Sequence, residues 1–282
     1  MGVEKPMTYL VLLQNDAEIR PTGGFITAYA LLKVDKGKVS TQLTSDIYDL
    51  DNRYTGKDLA PQSLIDHIAD PYKKEQMAGK KPIWRLRDRN LSPDFKQSAQ
   101  DFLKGYKDTN SPKYDGVVAM DTKVLLSLLE VTGPIGVAGF TSISPEIDER
   151  CNCPQAIYEL EGAISYETPY IRENRKAVLG NVMYSILLNS MAQPKEKFPL
   201  LAEAAFKSLQ QKNVLFYFPD EEFQQAMEQM NAAGRVVNAD GDYLLVVDTN
   251  LGGRKSQLYI DQQFDLQVNT QPTGTKNVLN LT

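Results

Sequence analysis

A single histidine, His67, stands in 282 residues, beside a single tryptophan and two cysteines. One histidine cannot serve a Ser-His-Asp triad, a Cys-His pair and a histidine metal site at once. His67 sits in Ser63-Leu-Ile-Asp-His-Ile-Ala69, an amphipathic helical turn, and reads as structural. The cysteines, Cys151 and Cys153, flank one asparagine and lack the partners a zinc site needs. Their spacing allows a strained disulfide and favours two free thiols in a loop, so the redox compartment stays open. A basic balance is missing too. The net charge is −5, against general nucleic-acid binding, which needs a basic face. No apolar run approaches the ~20 residues of a membrane helix, and no signal-peptide pattern precedes the first strand. A chain that starts so abruptly on a strand reads as trimmed, with any anchor outside the sequence.

What is present is ordinary for a globular protein: 42% hydrophobic and 24% charged residues, enough for a sizeable core. Period-two and continuous apolar runs predict strands at Tyr9–Leu13, Phe25–Val34 and Lys38–Thr44. The Asp35-Lys-Gly-Lys38 turn makes the last two an antiparallel hairpin. Asp46 to Asp51 reads as an acidic strand end or loop, and Trp84 to Phe95 as a charged loop around a short strand. A helix follows at Phe95–Lys107, capped by Ser92 or Asp94. The strand Tyr114–Met120 then leads through Asp121 or Thr122 into a helix that Gly133-Pro134 stops. Further helices are expected at Ala177–Met191, Phe198–Gln211 and Asp220–Ala232, with strands at Asn213–Phe218, Asp242–Asp248 and Gln257–Val268. The sum is a single α/β domain over residues 1–270, a central mixed sheet flanked by helices. Residues 271–282 read as the start of a truncated C-terminal segment.

The candidate chemistry is that of anions. After the first strand, Arg20-Pro-Thr-Gly-Gly24 joins a lone arginine to two glycines. Glycines let backbone N–H groups approach a ligand, and an arginine there can grip a phosphate or carboxylate. On spacing alone the stretch reads as a tight turn. Arg85, Arg87 and Arg89 form a second basic cluster and Arg254-Lys255, beside Gly252-Gly253, another. Arg172, Arg175 and Lys176 fall at a predicted helix start, where cations oppose the helix dipole unless an anion docks among them. A solvated face is the equal alternative. For carboxylates, Asp16, Asp46 and Asp88 are candidates to hold Mg²⁺. Asp49 and Asp51 read as acidic surface. Asp88, between two arginines, equally suits an ion-pair network.

Five ordered motifs resemble those of bacterial domain-of-unknown-function family 4012. They are Leu12 to Phe25, Trp84 to Phe95, Asp115 to Asp121 with Thr132-Gly-Pro134, Asn174-Arg-Lys176, and Asp248 to Ser256. The resemblance implies an N-terminal membrane segment ahead of this chain and names no activity. More distantly, the order of elements is similar to the LytR-CpsA-Psr phosphotransferases, which attach glycopolymers to the bacterial envelope from polyprenyl-pyrophosphate carriers. That similarity implies a LytR-CpsA-Psr-like fold and an extracytoplasmic, membrane-anchored envelope protein acting on polyprenyl-phosphate lipid or envelope glycan. It puts Arg20, Arg172, Arg175 and Lys176 on pyrophosphate and Asp16 and Asp46 on Mg²⁺; the catalytic candidates are Asp46 and, from its charged loop, Asp88. Two positions depart from the pattern. Pro21 to Gly24 replaces an acidic residue, and Ser45 stands where an arginine is expected. The departures favour the alternative of a non-catalytic binder of glycan or lipid carrier. Either way, Arg20, Arg172 and Arg175 are expected to converge on one cleft beside an apolar tunnel.

Overall fold

Alternation along the first strand sets the layers. In β1 (Met7–Asn15) nearly every side chain is buried. Leu10 and Leu12 point to one face of the sheet, Val11 and Leu13 to the other. A strand buried on both faces belongs in the middle of a sheet with cover on each side. The computed structural model describes residues 2–136, 142–159, 182, 185–186, 188–252, 260–271 and 274–282, without the side chains of 69 and 70. It places β1 at the centre of five strands in the order β3-β2-β1-β4-β7. β2 (Phe25–Asp35) and β3 (Lys38–Asp46) form the expected hairpin, with β2 antiparallel to β1. β4 (Gly116–Asp121) runs parallel to β1, and β7 (Val214–Tyr217) antiparallel to β4. The mixed α/β architecture read from the sequence is therefore the observed one.

One face packs Leu10, Leu12, Tyr29, Leu31 and Val117 against α1 (Ile47–Arg53) and α4 (Phe95–Tyr106). Two short helices, α2 (Gln62–His67) and α3 (Lys74–Met77), lie between those two in sequence. The other face packs Val11, Leu13, Ala30 and Val118 against α5 (Thr122–Thr132) and α7 (Glu221–Gln229). Helix α6 (Phe198–Gln210) precedes β7. Asp94, Asp121 and Asp220 each cap the helix that follows, accepting from backbone N–H groups. Gly133 ends α5 with φ +82°.

Several local expectations change. Asp46 ends β3, as a strand end, whereas Ile47 to Asp51 is not loop but the start of α1. Asp46 caps it, and Ile47 and Leu50, three apart, are buried on one side. Trp84 to Phe95 holds a 3₁₀ turn, Leu86–Asp88, and only an isolated bridge from Ile83 to Leu59. Asp242 to Asp248 forms no strand. Tyr243 is 56% exposed, and the segment has no ladder partner among the described residues. The last strand pair, β8 (Phe264–Gln271) and β9 (Gly274–Leu281), is an antiparallel hairpin. Cys151 and Cys153 form a disulfide rather than free thiols. It closes the turn between β5 (Ile147–Asp148) and β6 (Cys153–Pro154).

Candidate functional site

The Gly-Gly loop is a built turn. Gly23 N–H donates to the Arg20 carbonyl at 2.9 Å, with Pro21 and Thr22 at the corner. Gly23 takes φ +125°, which only glycine adopts freely. A Cβ on Gly24 would lie 2.1 Å from the Asn15 carbonyl oxygen. A buried polar cluster holds the loop from below. Asn90 Nδ2 donates to Gln14 Oε1, Thr22 Oγ1 and the Gly24 carbonyl, and the Thr22 hydroxyl donates to Gln14 Oε1 at 2.6 Å. Gln14 follows a register irregularity between β1 and β2. Such irregularities re-aim side chains at strand ends. The glycines thus serve geometry, as spacing alone suggests.

Arg20 is not an open clamp at the loop mouth. It is 3% exposed and already engaged. Its guanidinium donates to the Asn250 carbonyl, approaches Glu18 at 3.3 Å and Asp88 at 3.7 Å, and lies over the Phe25 ring. Its Nε alone has no acceptor. Asp88 is likewise no free base. It accepts from the Tyr72 hydroxyl at 2.6 Å and faces Arg87 at 3.6 Å, while Arg87 pairs with Asp51 at 2.7 Å. Burial and the Asp88 charge push the Tyr72 hydroxyl far up, so it stays a donor. Of the two readings open for Asp88, the ion-pair network is the one observed. The rest of the basic cluster is equally committed. Arg85 pairs with Glu75. Arg89, fully buried, bonds Asp58 and Tyr54 and lies over Trp84 and Tyr54.

Asp16 and Asp46 are each engaged by groups of the helix beside them. The Asp16 carboxylate accepts from the Thr122 hydroxyl and faces Lys123 Nζ at 3.7 Å. Asp46 accepts from Tyr48 N–H at 2.7 Å as the α1 cap, on a strand separated from β1 by β2. Among the described residues no three His, Cys, Asp or Glu side chains gather to hold a metal. Asp46 thus serves α1 as its cap, and Asp16 stands at the start of α5 beside Thr122 and Lys123. Arg172, Arg175 and Lys176 lie outside the described residues, as do Arg254 and Lys255.

The structure instead assembles a cleft of about 440 Å³ at the carboxyl ends of the parallel strands β1 and β4. Ligand sites of open α/β sheets favour such ends. Arg20 to Gly23 form one wall. Lys123 from α5, Lys212 from the turn before β7, and Arg235 add cations, and Asp121 stands among them. Tyr243, Leu245, Val246 and Val247 supply an apolar wall. Lys212 donates to the Asn231 carbonyl and burial lowers its pKa. Arg235 pairs with Asp94 at 2.9 Å and Glu228 at 2.7 Å. Lys123, 60% exposed, is the freest of these cations. None of Lys123, Lys212 or Arg235 stands in a basic cluster of the sequence. Asp121 read only as a helix cap. The one signal that could have found them was the strand-cap-helix order, which puts Asp121 and Lys123 at a strand's carboxyl end.

Asp121 is 6% exposed, and burial, reinforced by the nearby Asp16 charge, raises its pKa to about 6. The unfolded carboxyl titrates near 3.8. The folded state therefore holds the proton more tightly, and stability falls as pH rises from about 4 to about 6, then levels. The expected loss is about 3 kcal/mol. Urea midpoints at pH 4, 5, 6 and 7.5 should show this fall, and Asp121→Asn should flatten it.

These features define a mixed α/β protein with a strand-end cleft lined by cations on one side and apolar side chains on another. The family model described as "Protein of unknown function (DUF4012)" matches residues 4–148, and the chain belongs to that family. No curated protein matches it. Among solved structures, a transcriptional regulator from Enterococcus faecalis is 11% identical with a TM-score of 0.42, over 98% of this chain and 82% of that one. The Lin1025 protein from Listeria innocua is 10% identical with a TM-score of 0.38, over 97% of this chain and 90% of that one. The transcriptional regulator yvhJ from Bacillus subtilis is 14% identical with a TM-score of 0.33, over 90% and 95%. At these scores the likenesses carry no functional weight. The likeness to LytR-CpsA-Psr phosphotransferases rests on the order of elements in the sequence.

Proposed function

We propose that this protein is an extracytoplasmic cell-envelope protein that binds a polyprenyl-phosphate or -pyrophosphate carrier, free or glycan-linked, in the strand-end cleft. The carrying observation is the cleft's double character. Lys123, Lys212 and Arg235 suit a phosphate head, and Tyr243 with Leu245 to Val247 suits an apolar tail. The Cys151–Cys153 disulfide supports an oxidising compartment. No helix among the described residues is long and apolar enough to cross a membrane. The tether in this reading is the N-terminal segment that the family resemblance implies. Binding has more support than phosphotransfer, because Asp46 and Asp88 are engaged as cap and ion-pair partner.

Farnesyl pyrophosphate is the test ligand, titrated by calorimetry against farnesol and inorganic pyrophosphate. We expect the amphipathic molecule to bind more tightly than either half. Lys123→Ala and Lys212→Ala should each weaken it about tenfold. Equal affinity for all three, or no binding, overturns the reading. Release of inorganic phosphate on adding Mg²⁺ would favour the phosphotransferase instead.

A further inference from the structure

Asp121 is the one carboxyl group that lines both the cleft and the small cavity behind it, between Leu13, Gln14, Thr27 and Met120. Its two oxygens are fixed. Oδ1 accepts from Lys123 N–H at 3.0 Å and Oδ2 from Asn213 Nδ2 at 2.8 Å. Each oxygen keeps a second lone pair, so a proton adds a donor without breaking either bond. The space in front is kept open by the absence of a side chain at Gly23, where a Cβ would stand 3.9 Å from Asp121 Oδ2. The charged groups around it come from every neighbouring element. Asp16 follows the end of β1, Lys123 sits in α5, and Lys212 precedes β7. Arg20, Arg235 and Asp248 complete the cleft lining. Arg20, engaged through its guanidinium with Asn250, Glu18 and Asp88, closes the wall opposite Lys123.

We infer that Asp121 is a ligand-contacting acid of this cleft: protonated, its carboxyl donates a hydrogen bond to a phosphoryl oxygen, so that anion binding takes up one proton. The inference rests on the proposed anion-binding function and adds a residue and a proton to it. Ionised, Asp121 would set a second negative charge beside Asp16 against an incoming anion. Protonated, it exchanges that repulsion for a charge-assisted hydrogen bond. The raised Asp121 pKa makes this exchange inexpensive near pH 6.

The test counts protons. Calorimetry in two buffers of different ionisation enthalpy, at pH 6.5, measures uptake on binding farnesyl pyrophosphate, and inorganic sulfate serves as a probe of fixed charge. Wild type should take up a larger fraction of a proton than Asp121→Asn, and its sulfate affinity should fall about tenfold between pH 5.5 and 7.5. The asparagine variant, whose amide donates at any pH, should bind with a flat profile. A ¹³C-aspartate titration of the wild-type protein supplies a second readout, in which sulfate should raise the Asp121 midpoint. Binding with equal proton uptake in both proteins, or an unmoved midpoint, overturns the role of Asp121 and leaves the anion cleft standing. Absence of binding by either probe at every pH overturns both.

Discussion

Asp88→Ala is expected to cost about 3–5 kcal/mol, the range for removing one partner of a buried ion pair. Asp88 is 4% exposed and stands between Arg20, itself 3% exposed, and Arg87. Alanine would remove one of the two carboxylates beside the Arg20 guanidinium, leaving Glu18, and would strip the Tyr72 hydroxyl of its acceptor. Both groups are buried, Arg20 at 3% exposure and Tyr72 completely. Asp88→Asn should cost less, since the amide oxygen still accepts from Tyr72 while the charge is lost. Urea unfolding of the two variants beside wild type is the measurement. A loss below about 1 kcal/mol for alanine, in the range of surface pairs, would mean the network adds nothing. A catalytic Asp88 makes the opposite demand: its replacement would leave stability near wild type, because groups placed for chemistry are seldom the ones that hold the core.

How far the sequence discloses this molecule depends on whether a feature is local. The first strand was legible because Tyr9 to Leu13 is a continuous apolar run, and the hairpin because Gly37 marks its turn. Asp94 and Asp121, each one of two cap candidates, announced their helices. Helix α1 was hidden because its seven residues carry two aspartates, Asp49 and Asp51, and only two buried apolar positions, Ile47 and Leu50. Tyr243 to Val247 misled for a physical reason. Strand propensity describes a fit to a pleated surface, and this segment has no neighbouring strand among the described residues to supply one. The arginines were harder still. A guanidinium reads the same in sequence whether it faces ligand or Asp88, and the partner that decides lies on another loop. The cleft was invisible for the converse reason. Lys123, Lys212 and Arg235 are scattered, and only the placement of β4 beside β1 and of β7 beside β4 gathers them.

Gly24→Ala is expected to destabilise by about 3 kcal/mol or more, at or beyond the upper end of ordinary overpacking. A Cβ at this position would lie 2.1 Å from the Asn15 carbonyl oxygen, 2.3 Å from its carbon and 2.7 Å from the Asp16 nitrogen. These are backbone atoms where β1 ends, so no side chain can swing aside to make room. Relief requires β1 and β2 to part at the Asn15–Phe25 pair, next to the irregularity at Gln14. Gly23→Ala separates conformation from space. Its Cβ would meet nothing closer than 3.5 Å, yet its φ of +125° is a region side chains avoid, for a cost of about 1–3 kcal/mol. The two variants should also part in binding. Alanine at 23 narrows the approach to Asp121 and should weaken farnesyl pyrophosphate in a protein that still folds, whereas alanine at 24 should lose binding only along with its fold. Unfolding curves paired with titrations distinguish the cases. Equal stability losses for the two would mean that the close approach of Gly24 to β1 is not what holds the loop against the cleft.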